Sequence, residues 1–502
     1  MRSIDQIDDV ETLKQMLSLS AKEIARLNKR IMDLTRQLAA AQGKSESDQL
    51  QLELSEVHEQ LANFQRKVFG DSSEKRSQTP EPKKAEAKPK RGHGPREQPQ
   101  LRTQPVLMEL PEKDRDCPAC GKPLQPMKNV TEDSEVVAAI ERQYWQIVAM
   151  RQKYRCSCNG AIVTAPGPYK VIEGGRYTLQ FALQVAVDKY ADHIPLERQV
   201  RIMTRQGLRI DSQTLWDQID ALAVHLEPTY DALRKYIVGA DVIGADETWW
   251  RLMQKKGNKR WYAWGITTHD ACWYEIADSR SAKVAAKVLE GYEGTVLCDG
   301  YKAYKTVSTE SPSIRLAHCW AHARRKFVEA EPNYPLACNQ ALDRIGQLFE
   351  IEAALPQPDE LFGDEKTAAL ALRKQQREER SRPLLDALRS WALEQRGLPQ
   401  SGLRKAIDYM LEYWQGLTAF LEDPHLDIHN NRTERALRGM VLGRKNHFGS
   451  RSERGTKVAA IFYSLVETAK LCSIDPSWYL MKAAERAIDD PGAVLLPHEL
   501  AL

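Results

Sequence analysis

The sequence predicts a multidomain α+β protein in which helical stretches surround one region of β-strands. Alternating apolar and aromatic residues, the pattern of strands, are confined to about residues 240–318. Apolar residues at helical spacing dominate on both sides of that region. The chain has 502 residues, which is enough for roughly two to four domains.

Composition excludes two broad classes of protein. Hydrophobic residues make up 42% of the chain and charged residues 28%, as in an ordinary globular protein. No apolar run approaches the ~20 residues needed to cross a bilayer, and the N-terminus lacks the apolar core of a signal peptide. The nine cysteines, an odd number, favour a cytoplasmic protein with a metal site over a disulfide framework. We therefore expect neither a membrane protein nor a secreted one.

Residues 1–70 are predicted to form a helical coiled coil. Two series of apolar residues recur at alternating steps of about three and four, which is the a/d seam of a coiled coil. An intrachain helical hairpin, an intermolecular dimer and a seam packed on the rest of the chain all fit this pattern. The two series are Ile24, Leu27, Ile31, Leu34, Leu38 and Ala41, then Leu50, Leu54, Val57, Leu61, Phe64 and Val68.

Residues 71–105 are predicted to be a basic disordered linker, because their Lys, Pro, Glu, Gln and Ser leave too little apolar surface to bury. Lys83–Arg96 carries six basic residues and one Glu, a net charge of +5. Its core, with Lys88, Lys90 and Arg91, suits a phosphate backbone or a minor groove. A solvated linker that makes no DNA contact is the alternative.

Residues 106–170 are predicted to be a zinc-ribbon-like module with a structural Zn²⁺. Cys117 and Cys120 form a Cys-Pro-Ala-Cys-Gly-Lys knuckle, and Cys156 and Cys158 follow after a gap of 35 residues. Two close cysteine pairs supply the tetrahedron of thiolates that structural zinc prefers. The second pair has a single intervening residue where two are usual, so whether both of its cysteines are ligands stays open.

Residues 171–239 are predicted to be a helical, helix-turn-helix-like DNA-binding region. Leu196–Gly207 has the pattern of a basic amphipathic helix that ends at its glycine. Ser212 is placed to cap a second helix from Gln213 to His225. Helical bundles contain similar corners, so this pattern alone does not establish DNA binding.

The strand region, residues 240–332, has the element order of a ribonuclease-H-like domain. In such a domain the fourth strand, predicted at 295–301, would lie beside the first, predicted at 242–250, which brings Asp299 near Asp246. Alternation along strand one places Asp246 and Glu247 on opposite faces, so Glu247 cannot enter the same site. Strands are predicted at 242–250, 259–267, 272–277, 295–301 and 314–318, and a helix capped by Ser281 at 282–289.

A third carboxylate, Glu434, stands in a strongly cationic segment. His429–Lys457 contains eight basic and two acidic residues. If Asn431 caps the helix there, Glu434 occupies the third position, where a glutamate is ordinarily half of a capping pair. Alternatively, Glu434 joins Asp246 and Asp299 to hold two Mg²⁺ ions ~4 Å apart for phosphoryl transfer.

Four motifs give the chain a resemblance to the transposases of the insertion sequence 66 family. They are Asp246-Glu-Thr, Asp299-Gly-Tyr, Cys319-Trp-Ala-His-Ala-Arg-Arg-Lys-Phe and Asn430-Asn-Arg-Thr-Glu-Arg. The heptads, basic linker and cysteine knuckles are also similar to that family's N-terminal half. The resemblance implies a DDE-type catalytic triad of Asp246, Asp299 and Glu434 that uses Mg²⁺ or Mn²⁺. It also implies a helical insertion, at 333–427; we assign 428–472 to the second part of the core and 473–502 to a helical tail.

Basic residues within these motifs are predicted to contact DNA. Arg324, Arg325 and Lys326 suit contacts to the DNA backbone near the active site. His318 and His322 are four residues apart and would share a helix face, so a second metal site there is an alternative to a buried or phosphate-facing role. Further contacts are predicted at Arg435, Arg438, Arg444 and Lys445.

We therefore expect a cytoplasmic, nucleoid-associated bacterial transposase that binds terminal inverted repeats and cleaves and joins DNA strands. Its expected partners are those repeats, target DNA, further copies of the chain and companion proteins of the same element. A non-catalytic DNA-binding relative and a nuclease that cuts without joining are the alternatives. The net charge of +3 does not oppose DNA binding, because Lys83–Arg96, Ser313–Phe327 and His429–Lys457 carry +5, +4 and +6, which leaves −12 elsewhere.

Overall fold

A computed structural model of the chain describes residues 142–155, 162–254, 257–395 and 399–500, with a few isolated positions nearer the N-terminus. Residues 74–143 form a unit distinct from the rest of the chain, and almost none of its positions are described. The predicted coiled coil, the basic linker and the four predicted zinc cysteines all lie outside the described residues, apart from isolated positions in the first of them. The fold described here is therefore that of residues 144–500.

A five-stranded mixed sheet lies at the centre of this mixed α/β unit, and a short antiparallel pair precedes it. The strands are β1 (Lys153–Arg155), β2 (Ile162–Thr164), β3 (Val242–Gln254), β4 (Gly257–Thr267), β5 (Cys272–Ala277), β6 (Gly294–Cys298) and β7 (Ile314–His318). The order in the large sheet is β5-β4-β3-β6-β7. β3 is antiparallel to β4 and parallel to β6, and β6 is parallel to β7. All five predicted strands are present, and β3 and β4 are longer than predicted because their hairpin extends to Gln254 and Gly257. The fourth strand was predicted to run to residue 301, but β6 ends at Cys298, so Asp299 follows the strand.

Helices cover both faces of the sheet and form most of the remaining structure. None of the helices in the described part of the chain has the length and apolar character needed to cross a membrane. Short 3₁₀ segments occur at Pro358–Glu360, Ala419–Leu421 and Pro497–Glu499, and a π-helical turn at Arg377–Ser381. The α-helices are α1 (Leu179–Tyr190), α2 (Leu196–Arg205), α3 (Ser212–Val238), α4 (Ala282–Val288), α5 (Lys302–Glu310), α6 (Trp320–Ala330), α7 (Pro335–Ala353), α8 (Gly363–Gln376), α9 (Arg382–Glu394), α10 (Gly402–Glu412), α11 (Trp414–Thr418), α12 (Asn431–His447), α13 (Glu453–Leu471) and α14 (Pro476–Asp489).

The predicted helical corner before the sheet is present, with a different cap and a longer second helix. The first helix, α2, ends before Gly207, whose φ of 86° suits a glycine. Asp211 caps α3, since its carboxylate accepts a hydrogen bond from the backbone N–H of Thr214 at 2.7 Å. The Ser212 hydroxyl instead donates to Glu197 at 2.7 Å. The prediction that Ser212 caps the helix was therefore wrong, as was the predicted end at His225.

The first hydrophobic core joins the sheet to α1, α3, α13 and α14. In α13, hydroxyls as well as apolar side chains face the edge strand β5. The Ser464 hydroxyl accepts a hydrogen bond from the backbone N–H of Tyr274 at 2.9 Å, and the Thr468 hydroxyl accepts one from Cys272 at 3.0 Å. These bonds satisfy backbone donors on the open side of β5, so this edge is covered.

A second hydrophobic core is built mainly by the helices between β7 and α12, together with Leu297 of β6 and Ala317 of β7. Trp320 and Phe327 on α6 pack there with Ile345 of α7 and Met410 of α10. The Trp320 indole donates a hydrogen bond to the carbonyl of Leu417 at 2.7 Å. The helices α7–α11 are therefore attached to the sheet through α6, which directly follows β7, and through the contact of Tyr413 with His318 at the end of β7.

Candidate active site

Two carboxylates lie side by side at one end of the parallel strands. The register pairs Gly244 of β3 with Leu297 of β6. Asp246 lies two residues further along β3, and Asp299 lies two residues beyond Leu297, directly after the end of β6. The two carboxylates are close enough for the charge of Asp299 to raise the pKa of Asp246. The Asp246 carboxylate accepts a hydrogen bond from the N–H of Glu247, and the Asp299 carboxylate accepts one from the N–H of Tyr301, each at 2.8 Å.

Glu434 reaches the same region from the first turn of α12. The backbone N–H of Glu434 donates to the carbonyl of Asn430 at 3.1 Å, so Asn430, not Asn431, is the N-cap residue. The interpretation of Glu434 as half of a capping pair was wrong. Such a pair needs a free N–H at the cap, and the N–H of Asn430 donates to the Cys319 sulfur at 3.2 Å.

Asn430 and Thr433 hold α12 directly against β3 and β4. The Asn430 amide donates to the carbonyl of Ala245 at 2.8 Å and accepts from the Thr433 hydroxyl at 2.6 Å. The Thr433 and Thr267 hydroxyls share a hydrogen bond of 2.7 Å. Gly244 makes this approach possible, because a Cβ there would lie 2.1 Å from the Thr433 hydroxyl oxygen. In the sequence, Asn430 is recognisable only as part of a motif, so this role was not predicted.

The three carboxylates interact electrostatically. Burial, together with the charges of Glu247, Asp299 and Glu434, raises the pKa of Asp246 to about 8. The hydrogen bond from the N–H of Glu247 acts in the opposite direction. The Oε1 atom of Glu434 is buried and has no hydrogen-bond partner among the described residues. A group of acidic oxygens that repel one another, with one of them lacking a hydrogen-bond partner, fits a divalent cation, which would bind them in the ionised form.

Glu247 lies on the opposite face of β3, as alternation predicted. Its carboxylate pairs with Arg280 at 2.7 Å and accepts a hydrogen bond from Tyr304 of α5 at 2.8 Å. Burial raises the pKa of Glu247, while the bonds from Tyr304 and Arg280 lower it. Arg280 and Tyr304 therefore hold this carboxylate on the other face of β3, although its charge still raises the pKa of Asp246.

His322 of α6 lies beside Glu434, with 3.7 Å between its Nε2 and Glu434 Oε1. Ligand atoms of Cys319, His322 and Glu434 all lie within 4.8 Å of one another. Burial lowers the pKa of the His322 imidazole and raises the pKa of the Cys319 thiol. Sequence reasoning did not connect Cys319 with Glu434, since 115 positions separate them and only the contact between α6 and α12 joins them.

The alternative of a metal site on His318 and His322 was wrong in its geometry. His318 is the last residue of β7, whereas His322 lies in α6, so the two do not share a helix face. His318 is buried and packs on the Tyr413 ring, with 4.5 Å between ring centroids. Its Nδ1 lies 3.9 Å from the Cys298 sulfur.

The basic residues predicted to contact DNA differ in exposure. Arg435, Arg438 and Lys445 are exposed along α12. On α6, Arg325 is exposed, and Arg324 and Lys326 are half-buried. Lys88, Lys90 and Arg91 lie outside the described residues.

Arg444 is the exception among the predicted DNA contacts on α12, because it is 7% exposed. Its guanidinium donates hydrogen bonds to the Thr248 hydroxyl, at 3.2 Å, and to the carbonyl of Trp249. It also stacks on the Trp249 ring, 3.7 Å from the centroid. These contacts attach α12 to β3, so Arg444 serves the protein interior rather than an exposed surface.

The buried Arg377 connects the segment before α12 to the helices of the second core. Arg377 is fully buried and makes a bidentate ion pair with Glu352, at 2.8 and 2.7 Å. It also donates to the carbonyls of Phe420, Asp423 and Leu426, between 2.7 and 3.0 Å. The loop that precedes α12 is therefore fixed by a charge on the π-helical turn.

Comparisons with known proteins give one matching family model and several similar proteins. A family model described as "Transposase IS66 family" matches residues 174–458, which include all three carboxylates. Similar proteins are found in Sinorhizobium fredii (strain NBRC 101917 / NGR234). The uncharacterized protein y4jD is 32% identical and the match covers 76% of each chain. The uncharacterized protein y4qI is 29% identical over 96% of this chain and 94% of its own length.

Proposed function

The chain belongs to the IS66 family of transposases, and from this premise we propose that it cuts and joins DNA strands at the ends of its own insertion sequence. The arrangement of Asp246, Asp299 and Glu434 supports this proposal most directly. Asp246 lies on β3, Asp299 directly follows the adjacent parallel strand β6, and Glu434 comes from α12, which packs on β3. Such a group of carboxylates suits phosphoryl transfer on a polyanionic substrate.

In the proposed reaction, the three carboxylates hold Mg²⁺ or Mn²⁺ as a DDE triad on a ribonuclease-H-like core. The bound ions would supply charge that activates the attacking oxygen and stabilises the leaving oxygen. The residues of the chain position these carboxylates: Asn430 and Thr433 fix α12, and the peptide N–H groups of Glu247 and Tyr301 orient the two aspartates. We assign the helices between β7 and α12 to an insertion in this core, at 333–427.

In this proposal DNA is bound by several basic segments, one on the helix that carries Glu434 and others earlier in the chain. Arg435, Arg438 and Lys445 form an exposed row on α12, next to Glu434 in the sequence. The α2–α3 corner is proposed to bind the terminal repeats as a helix-turn-helix. Three further proposals rest on the sequence alone. They are DNA contacts by the linker through Lys88, Lys90 and Arg91, self-association through residues 1–70, and a zinc module with Cys117, Cys120, Cys156 and Cys158. Companion proteins of the same element are proposed as further partners.

A strand-transfer assay with labelled element ends and Mg²⁺ or Mn²⁺ tests the proposal. Asp246→Asn, Asp299→Asn and Glu434→Gln should each abolish cleavage and joining and leave end binding intact. Asp241→Asn, at an exposed carboxylate five residues before Asp246, is the matched control and should keep activity. Normal cleavage by Asp299→Asn would refute the catalytic assignment. Cleavage without joining by the wild type would instead indicate a nuclease, and end binding without either reaction a non-catalytic protein.

A further inference from the structure

We propose that Cys319, His322 and Glu434 form a Zn²⁺ site distinct from the predicted cysteine site of the N-terminal half. We further propose that zinc bound there inhibits DNA cleavage by withdrawing Glu434 from the carboxylate group. The inhibition rests on the proposed catalytic role of Glu434, whereas zinc binding itself does not.

The geometry of the three side chains suits one small cation. Their ligand atoms lie within 4.8 Å of one another, and 3.7 Å separates His322 Nε2 from Glu434 Oε1. Two ligands of a tetrahedral zinc ion lie about 3.3–3.7 Å apart, given metal–ligand distances of about 2.0–2.3 Å. The histidine and the glutamate are therefore already near this spacing, and small side-chain rotations would complete the site.

The chemistry of the donors distinguishes this site from the neighbouring aspartates. Asp246 and Asp299 offer oxygen, which Mg²⁺ prefers. Cys319 and His322 add sulfur and nitrogen, which favour Zn²⁺ over Mg²⁺. Because three protein ligands leave one position open, a water molecule would complete the tetrahedron.

The surroundings of the three residues support a ligand role. Cys319 precedes the first turn of α6, and its sulfur accepts a hydrogen bond from the N–H of Asn430 at 3.2 Å. Hydrogen bonds of this kind orient and stabilise metal-bound thiolates. His322 Nδ1 and Glu434 Oε1 are both buried without a hydrogen-bond partner among the described residues, a condition that buried polar atoms seldom keep. A bound cation would satisfy the oxygen directly.

Glu434 cannot bind fully both to an ion held by Cys319 and His322 and to an ion held by Asp246 and Asp299. An ion held by Cys319 and His322 would draw the Glu434 carboxylate toward α6 and away from Asp246 and Asp299. Zinc should therefore act as a competitor of the Mg²⁺-dependent reaction, at a position that no substrate atom needs to occupy. This is the physical basis for inhibition.

Zinc binding to the full-length, metal-stripped protein, in competition with a chromophoric chelator, tests the site. Cys319→Ser and His322→Gln should each lose one equivalent of tightly bound Zn²⁺ relative to wild type. Cys338→Ser, at another buried cysteine near the same helices, is the matched control and should lose none. The N-terminal cysteines contribute equally to every variant. Equal zinc contents in all four folded proteins would overturn the proposal.

Inhibition is measured as the Zn²⁺ concentration that halves Mg²⁺-dependent cleavage, relative to the zinc-free activity of each variant. His322→Gln should raise this concentration at least tenfold over wild type, and an unchanged value would refute the inhibitory role. If circular dichroism shows that Cys319→Ser does not fold, both zinc binding and inhibition are measured on His322→Gln alone, since that side chain is 20% exposed.

Glu434→Gln separates the two proposals. If this variant loses cleavage and retains the zinc equivalent, Glu434 is not a zinc ligand, and the proposed function is unaffected. Loss of the zinc equivalent with normal cleavage would support the zinc site and refute the catalytic role of Glu434.

Discussion

The side-chain amide of Asn430 donates a hydrogen bond of 2.8 Å to the carbonyl of Ala245, the residue that precedes Asp246. One contact thus joins the start of the helix that carries Glu434 to the strand that carries the first aspartate. Through its own N–H, Asn430 also bonds the sulfur of Cys319. Three segments that are remote in sequence meet at this one residue.

Asn430→Ala should reduce the rate of DNA cleavage strongly, with little change in end binding. It removes the link to Ala245 and leaves a buried carbonyl without its partner, which costs about 1–3 kcal/mol of stability. Asn431→Ala is the control, at a half-buried neighbour on the same helix turn. Single-turnover cleavage at saturating DNA measures the effect, and equal rates for the two variants would contradict the positioning role.

Asp246 should make the stability of the metal-free protein fall as the pH rises. In the folded state its pKa is about 8, against 3.8 when unfolded, so between these values only the unfolded state releases the proton. The folded state is thus destabilised from about pH 4 upward, by a few kcal/mol in total at about pH 8. Urea unfolding in the presence of a chelator measures this, and Asp246→Asn should lack that part of the slope. Identical pH slopes for the two proteins would show that Asp246 titrates normally.

Gly244→Ala should displace α12 and with it Glu434. The added Cβ would lie 2.1 Å from the Thr433 hydroxyl and 2.6 Å from Asn430 Oδ1, distances that no rotamer change at position 244 relieves. Overpacking of this kind costs about 1–3 kcal/mol, and a small shift of a catalytic group lowers the rate on the order of 10²-fold. Gly346→Ala, in α7 with open space around the new Cβ, should instead gain up to about 1 kcal/mol. Full activity of Gly244→Ala would refute the need for this close approach.

Arg377→Met should destabilise the protein by up to about 3–5 kcal/mol, because Glu352 would lose its bidentate partner and keep only the 3.5 Å contact with Arg373. The three carbonyls that Arg377 binds would also lose their donor, so the loop entering α12 should loosen. Arg382→Met removes an exposed ion pair with Glu378 and should cost less than about 1 kcal/mol. Thermal unfolding of both variants compares them directly, and similar losses would argue against a special role for the π-helical turn.

Replacement of Arg435, Arg438 and Lys445 by Gln should weaken DNA binding most at low salt. Each lost phosphate contact lowers the slope of log affinity against log salt by about 0.9. The affinity for unrelated DNA should fall in the same proportion, because phosphate contacts carry no sequence information. Lys482→Gln on α14 is the control, and a triple variant with the salt slope of the wild type would exclude this row of α12 from the interface.

The strands and the positions of two carboxylates follow from local sequence. Alternation in 242–250 and 272–277 predicts the strands, and the parallel placement of strand four beside strand one predicts that Asp246 and Asp299 meet. The helix caps were harder to predict because neighbouring polar residues compete for one role. At Asp211–Ser212 and Asn430–Asn431, the first residue of each pair takes the cap position, and contacts from other elements decide this for Asn430.

By itself, the sequence determined the class of this protein, its strands, its family motifs and the three acidic residues that its proposed chemistry needs. These depend on residue type and short-range periodicity, which the chain displays directly. Only the tertiary structure decided that Arg444 is buried, that His318 and His322 diverge, and that Cys319 and His322 join Glu434. The burial of Arg444 and the meeting of Cys319 and His322 with Glu434 depend on how α12 packs against β3 and α6, across more than 100 positions of sequence. No local pattern encodes a contact of that range.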